Sequence, residues 1–237
     1  MKMHLTLLTF LCFNILGVNA QLDGILNKAK SKVLGEKDDE TGLGLKEALE
    51  LGVKEAVEYL SADNGYLESQ YKILVPEDAQ KIVDAVKKLP GFGNVEQELI
   101  EKMNRAAEIS AAKATPIFSK AIRQMTFKDA TNILLGKEDA ATRYLENTTR
   151  KSLYDEFMPI IQNSLDEVNA REFWKTVIDA YNTIPLTRKM NPQLDDHVNN
   201  KALDGLFSLI QVKEKGIRTD INQRTSPLLK KVFGRLD

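Results

Sequence analysis

The sequence predicts an all-α protein, a multi-helix bundle of about eight to ten helices. Three observations carry this prediction. Apolar residues recur at three- and four-residue steps along most of the chain. Residues that begin and end helices separate these segments, and β-like runs are confined to residues 66–75. Because no repeat or clear linker interrupts the pattern, we expect a single helical domain over residues 41–237.

Residues 1–20 predict a secretory signal peptide. Lys2 precedes an apolar run over residues 5–17, and small residues end at Ala20. The run is too short for a membrane span, and no later stretch is long and apolar enough for one. We therefore expect cleavage at about Ala20, a periplasmic or secreted protein without a transmembrane segment, and a partly flexible leader over residues 21–40.

Cys12 is the only cysteine of the chain, and it lies inside the apolar run. Cleavage at Ala20 would leave a cysteine-free mature chain that forms no disulfide. A lipid anchor on Cys12 stays open as an alternative, although Phe10 and Leu11 are larger than the residues that precede a lipidated cysteine.

The first helices are predicted from periodicity and helix-start residues. Residues 43–62 have amphipathic spacing, and Gly52 within them would let another backbone approach closely. Residues 66–75 favour a small β-hairpin, and Pro76 suits the start of a helix over residues 77–89.

The central helices are predicted from capping residues. Asn94 with Gln97 has the spacing of a capping box that opens a long helix. Pro116 either kinks that helix or begins the next one. Thr126 with Asp129 predicts the cap of a further short helix.

The C-terminal half continues the helical pattern. We expect helices over residues 138–168, 171–184, 194–216 and 227–233, with a break or kink at Pro159 in the first of them.

The pair Gly136-Lys137 resembles the end of a phosphate-binding loop. Such a loop needs glycine five residues before Gly136 and serine or threonine directly after Lys137. The sequence has Thr131 and Glu138 there. Gly136 is better interpreted as the end of one helix, and the acids Glu138 and Asp139 favour the start of the next.

Composition excludes several chemistries. A formal net charge of −1, with mixed charges along the chain, does not indicate nucleic-acid binding. Beyond the signal peptide the sequence has no cysteine and one histidine, His197, which excludes zinc sites of histidine and cysteine and a cysteine nucleophile. The sequence therefore predicts no metal, no cofactor and no assigned catalytic residue.

Polar residues beside small ones mark where a pocket or a buried polar network would form. Asn104 and Glu108 share a helix face, with Arg105 beside them, next to a strip of small residues. Glu214 and Arg218 have the spacing of an ion pair on one helix, and an anion site formed by Arg218 and Arg224 is the alternative. The full set of candidate residues is Asn104, Arg105, Glu108, Asp129, Thr142, Tyr144, Glu214, Arg218 and Arg224.

Several segments together resemble a known family. They are GLKEAL near residue 44, YKILVP at 71–76, MNRAAE at 103–108, MTFKDATNILLGKEDAATRYL at 125–145, ALDGLF at 202–207 and IRTDINQRTSPLLKKVFG at 217–234. Their order is similar to an exported bacterial family named domain of unknown function 4197. The resemblance implies an all-helical envelope protein, and it carries no established activity or site residue.

Three functions remain open from the sequence. The leading hypothesis is a non-enzymatic exported protein that binds a small apolar ligand or an envelope partner. Ala106, Ala111, Ala141 and Tyr144 would line its groove, and Asn104, Glu108 and Thr142 would supply polar contacts.

The second hypothesis is a hydrolase or lyase that uses Glu108 or Asp129. It requires Asn104, Glu108, Asp129 and Arg218 to converge in one open cleft. The third is a structural envelope assembly factor, which predicts an exposed apolar patch on the C-terminal residues Leu228, Leu229, Val232 and Phe233.

Overall fold

A computed structural model describes residues 40–186 and 193–235 of the protein. This part of the chain is α-helical and has no β-strand, which confirms the predicted all-α class. The predicted signal peptide, Cys12 and nearly all of the predicted leader lie outside the described residues. Within the described ranges there are nine α-helices: α1 (residues 40–60), α2 (Glu77–Val86), α3 (Val95–Ala111), α4 (Thr115–Gln124), α5 (Phe127–Leu134), α6 (Ala140–Glu167), α7 (Ala170–Asn182), α8 (Leu194–Thr219) and α9 (Pro227–Phe233).

The two longest helices, α6 and α8, form the centre of the fold. Among helices α2 to α9, this pair packs together most extensively, and α3 packs against both. Their facing sides supply fully buried side chains such as Leu145 and Phe157 on α6 and Leu203 on α8. On α8, Phe207 meets Phe118 of α4 edge to face, with ring centroids 5.6 Å apart. Burial of these apolar faces holds the bundle together.

Several predicted helix ends agree with the structure. Helix α2 begins directly after Pro76. The capping box is present on α5, where the Thr126 hydroxyl accepts from the Asp129 amide and the Asp129 carboxylate accepts from the Thr126 amide. Pro116 lies in the first turn of α4, so it begins a helix instead of kinking one.

The predicted capping box at Asn94 is wrong, and of the break or kink predicted at Pro159 the break is wrong. Asn94 precedes α3, but its side chain makes no capping hydrogen bond. Pro159 does not break α6, which continues to Glu167. Phe157 and Ile161 beside this proline are fully buried, and their packing offsets the backbone hydrogen bond that proline cannot donate.

The predicted hairpin at residues 66–75 is wrong. Residues 61–71 form turns and bends, and residues 72–76 form no helix, turn or strand. Side chains from two helices form hydrogen bonds with backbone groups of this segment. Asn104 of α3 binds Ile73 on both its amide and its carbonyl, and the Leu74 carbonyl oxygen lies 2.8 Å from Nε2 of His197.

The apolar patch expected on the C-terminal tail is not exposed. Leu229, Val232 and Phe233 of α9 are fully buried, and Leu228 is half-buried. Val232 packs so closely on α1 that a Cβ at Gly44 would lie 2.5 Å from its Cγ2 atom. Because Gly44 has no side chain, α9 can dock there, and the tail belongs to the core.

No helix among residues 40–186 and 193–235 has the length and apolar character needed to cross a bilayer.

Candidate functional site

Asn104 on α3 is a fully buried amide that fixes the segment after α1. Its Oδ1 accepts from the Ile73 amide at 2.8 Å, and its Nδ2 donates to the carbonyls of Ile73 at 2.8 Å and Ile100 at 2.7 Å. The side chain thus pairs with Ile73 as a neighbouring strand would. Because the amide and carbonyl of Ile73 are buried, they depend on the Asn104 side chain for their hydrogen bonds.

Glu108 lies one turn further along α3, and it holds the preceding turn. Its Oε1 accepts from the amides of Tyr66 at 3.3 Å and Leu67 at 3.5 Å. Its Oε2 lies 3.3 Å from Nη1 of Arg105, and the same Nη1 donates to Asp63 at 2.6 Å. These two carboxylates, Asp63 first, raise the pKa of Arg105 above its ordinary value.

Two adjoining depressions border this part of α3, and we call them together the α3 groove. The first has a volume of about 490 Å3 and lies between residues 67–72, the end of α2 and the first half of α3. The second has a volume of about 470 Å3 and includes Arg105 and Glu108. Leu67 and Glu101 line both depressions, so the two adjoin along the helix.

Thr142, Glu214 and Arg218 meet at a second place, which we call the α5–α6 clamp. The Glu214 carboxylate accepts from the amides of Ala141 at 3.0 Å and Thr142 at 2.8 Å, and from the Thr142 hydroxyl at 2.8 Å. Arg218 donates from Nε to Glu214 at 2.9 Å. Its other two nitrogens donate to the carbonyls of Leu134 at 3.0 Å and Ile133 at 2.9 Å.

The α5–α6 clamp joins two helix ends of opposite polarity. Glu214 binds free amides in the first turn of α6, where the helix dipole is positive. Arg218 binds the carbonyls of Ile133 and Leu134 in the last turn of α5, where the helix dipole is negative. Asp139, the residue before α6, makes no capping bond and pairs with Arg143 instead. The junction around Gly136 is therefore capped by α8, which the sequence spacing did not indicate.

Arg224 caps the end of α8 and does not form the alternative anion site with Arg218. It is fully buried, and it donates from Nε to the Ile217 carbonyl at 3.0 Å and from Nη2 to the Arg218 carbonyl at 2.9 Å. Its guanidinium thus binds the negative end of α8, while that of Arg218 binds the end of α5.

Asp129 and Tyr144 lie apart from both clusters. The Asp129 carboxylate is occupied by the amide and hydroxyl of Thr126. Tyr144 is half-buried against the core, and burial, followed by the negative charge of Asp129, raises the pKa of its phenol. The structure therefore gives Asp129 a capping role and Tyr144 a packing role.

The small residues proposed to line a groove are packed. Ala106, Ala111 and Ala141 are buried. Ala141 borders an apolar pocket between α1, α6, α8 and α9, but the volume of this pocket is about 10 Å3. That is room for roughly one water molecule and not for an apolar ligand.

The four residues required by the hydrolase or lyase hypothesis do not converge. Asn104 and Glu108 bind the turn before α2, Arg218 binds the end of α5, and Asp129 binds Thr126. Each is satisfied separately. Among the described residues there is also no group of three or more histidine, cysteine or carboxylate side chains placed to hold a metal ion.

Most of the residues that line the α3 groove are not among the candidates that the sequence indicates. Leu67, Glu68 and Lys72 lie in the segment 66–75 that the sequence predicts as a hairpin, but they form one wall of the groove. Glu101 was also missed, yet it could have been found, because it precedes Arg105 by four residues and therefore shares its helix face.

A family model described as protein of unknown function (DUF4197) matches residues 35–234. The chain belongs to this family. The match spans all nine helices, and it includes Asn104, Glu108, Glu214 and Arg218, so both clusters lie within the family domain. Comparisons with curated proteins and with solved structures gave no match.

Proposed function

We propose that this protein is a non-enzymatic exported protein that binds a polypeptide segment of an envelope partner in the α3 groove. The observation that carries the proposal is the groove itself, an open surface feature whose wall is fixed by buried hydrogen bonds from Asn104 and Glu108. A wall that is already ordered loses little conformational entropy when a partner binds.

The dimensions of the groove suit a polypeptide. Along α3 it extends from Asn94 to Glu108, which corresponds to about 21 Å of helix. An extended segment of about six residues has this length. Leu67 and Ile100 provide apolar contact, and charged side chains surround them, which is the usual arrangement of a protein-binding surface.

A small apolar ligand is less well supported. The apolar pocket beside Ala141 has a volume of about 10 Å3, whereas pockets for such ligands are usually a few hundred cubic ångströms. The carboxylate-enzyme hypothesis lacks its cleft, and the assembly-factor hypothesis lacks its exposed tail.

Site-specific photo-crosslinking in the producing organism tests the proposal. A benzophenone amino acid replaces the exposed Gln97, which lines the groove, or, as a matched control, the exposed Glu156 on α6. We expect one defined polypeptide adduct from position 97 and none from position 156. The crosslinked segment is identified by mass spectrometry, synthesised, and titrated against the purified protein.

Equal adducts at both positions, or none at position 97 in folded and exported protein, would contradict the proposal. A synthetic segment that binds no better than its scrambled version would contradict it as well. Native mass spectrometry of gently purified protein tests the small-ligand alternative, because a bound lipid or other apolar molecule would raise the mass above that of the bare chain.

A further inference from the structure

The charges of the α3 groove identify the kind of segment it takes, an inference that rests on the proposed function. Eight ionisable side chains line the two depressions, five acidic and three basic: Asp63, Glu68, Glu96, Glu101 and Glu108, and Lys72, Lys87 and Arg105. The groove therefore has an acidic excess, although the whole chain is nearly neutral, with 34 acidic and 33 basic residues.

Two of the three basic side chains are already paired inside the groove. Lys87 lies 2.7 Å from Glu96, and Arg105 lies 2.6 Å from Asp63 and 3.3 Å from Glu108. The Lys87–Glu96 pair balances the charge at one end of the groove, the Arg105 contacts leave one net negative charge at the other, and neither involves the middle. The charge of the occupant is therefore set mainly by the side chains between these two ends.

Glu68 and Glu101 are the two acidic side chains of the groove that form no ion pair among the described residues. Glu68 accepts from the side-chain amide of Asn64 at 3.1 Å, and Glu101 accepts from that of Gln97 at 2.9 Å. Neither contacts a cation among the described residues, so the negative charge of both carboxylates is available to a cation of the partner. Lys72 is the single basic side chain of the groove without an ion pair there, and it offsets only part of this charge.

We propose that the α3 groove binds an extended basic segment, with a lysine or arginine of the partner between Glu68 and Glu101. The alkyl stem of that side chain would lie on Leu67 and Ile100, which line the same depression. Arg105 completes the site, because its Nε and Nη2 donate no hydrogen bond within the described residues and can bind a carbonyl of the segment.

A metal cation and a nucleic acid do not fit these groups. No group of three or more potential metal ligands occurs in the part of the chain that the structure describes. A nucleic acid would be repelled by the acidic excess. A basic polypeptide meets both the charge and the length of the groove.

Two labelled hexapeptides of alternating sequence, lysine–alanine and glutamate–alanine, test the proposal by fluorescence anisotropy at low and physiological salt. We expect saturable binding of the basic peptide, weakened by salt, and weaker binding of the acidic one. The double variant E68Q/E101Q should lower affinity for the basic peptide about three- to tenfold. The control E50Q/E156Q, which removes two exposed acids outside the groove, should change it less than twofold.

Charge reversal sharpens the test. The variant E68K/E101K should prefer the acidic peptide, provided that its unfolding curve matches that of the parent protein. Equal affinity of the parent for both peptides, or equal losses in E68Q/E101Q and in the control, would overturn the basic-segment inference. If position 97 still crosslinks a polypeptide, the docking function stands and only its charge preference fails. If that crosslink is also absent, both fail.

Discussion

Glu108 in the α3 groove and Glu214 in the α5–α6 clamp have nearly identical bonding partners. Each carboxylate accepts from two consecutive backbone amides of a distant segment and from an arginine on its own helix. Each is buried. The two sites differ in their arginines, because the Arg105 side chain is 49% exposed and the Arg218 side chain is 6% exposed.

This difference in exposure sets how many arginine nitrogens are left to bind another molecule. All three nitrogen groups of Arg218 donate to atoms of the fold, so none is left for a partner. Arg105 uses only Nη1 in this way. Identical residue types therefore stabilise a helix junction in one place and border an open groove in the other.

The largest expected effect comes from Glu214→Gln. The substitution leaves the buried charge of Arg218 unpaired and turns an amide NH2 toward groups that are themselves donors, so we expect a loss of about 3–5 kcal/mol in unfolding free energy. Urea denaturation measures it. As a control, Asp155→Asn breaks the exposed Lys151–Asp155 pair and should cost less than about 1 kcal/mol. A similar loss in both variants would remove the distinction between clamp and surface.

Asn104→Ala should have the next largest effect. It leaves the buried amide and carbonyl of Ile73 without partners, which costs about 2–3 kcal/mol, and hydrogen exchange at the Ile73 amide should become faster. Asn200→Ala is the control, because Asn200 bonds only within its own helix. Unchanged exchange at Ile73 would show that Asn104 does not hold the groove wall.

Glu108→Gln is the direct counterpart of Glu214→Gln, with an expected loss of about 1 kcal/mol. The glutamine keeps an acceptor for Tyr66 and Leu67, and Arg105 keeps both Asp63 and its contact with water. Urea denaturation compares the two variants under one set of conditions. If Glu108→Gln costs as much as Glu214→Gln, exposure of the arginine is not what separates the two sites.

The smallest effect is a change in acid sensitivity at the edge of the groove. Lys87 holds the pKa of the Glu96 carboxyl below its ordinary 4.5. Because the folded-state pKa is lowered, this pair stabilises the fold above about pH 4.5, and its contribution is lost as the pH falls through the lowered pKa. In Lys87→Met the pKa of Glu96 should rise toward 4.5, as measured by carbon-13 NMR, whereas Lys81→Met should leave it unchanged. A Glu96 pKa that does not move would assign the shift to another cause.

Patterns within one segment predicted most of the helices. Pro76 and the Thr126–Asp129 capping box mark the starts of α2 and α5, because a helix start depends on residues within one turn of it. The range 227–233 also agrees with α9 at both ends. For the same reason, the shared face of Asn104 and Glu108 was visible from their spacing alone.

Long-range contacts decided the rest. Residues 72–76 have the β-like sequence that favoured a hairpin, but their backbone partner is the side chain of Asn104, 31 residues beyond Ile73. The apolar face of α9 was predicted to be an exposed patch. It packs instead at Gly44, near the other end of the described chain. The sequence by itself determined the helical class, most helix positions and the residue types available for chemistry, because these depend on local periodicity and composition. Only the tertiary structure decided that Glu214 and Arg218 close a helix junction while Arg105 stays open to a partner, because burial is set by segments far apart in the chain.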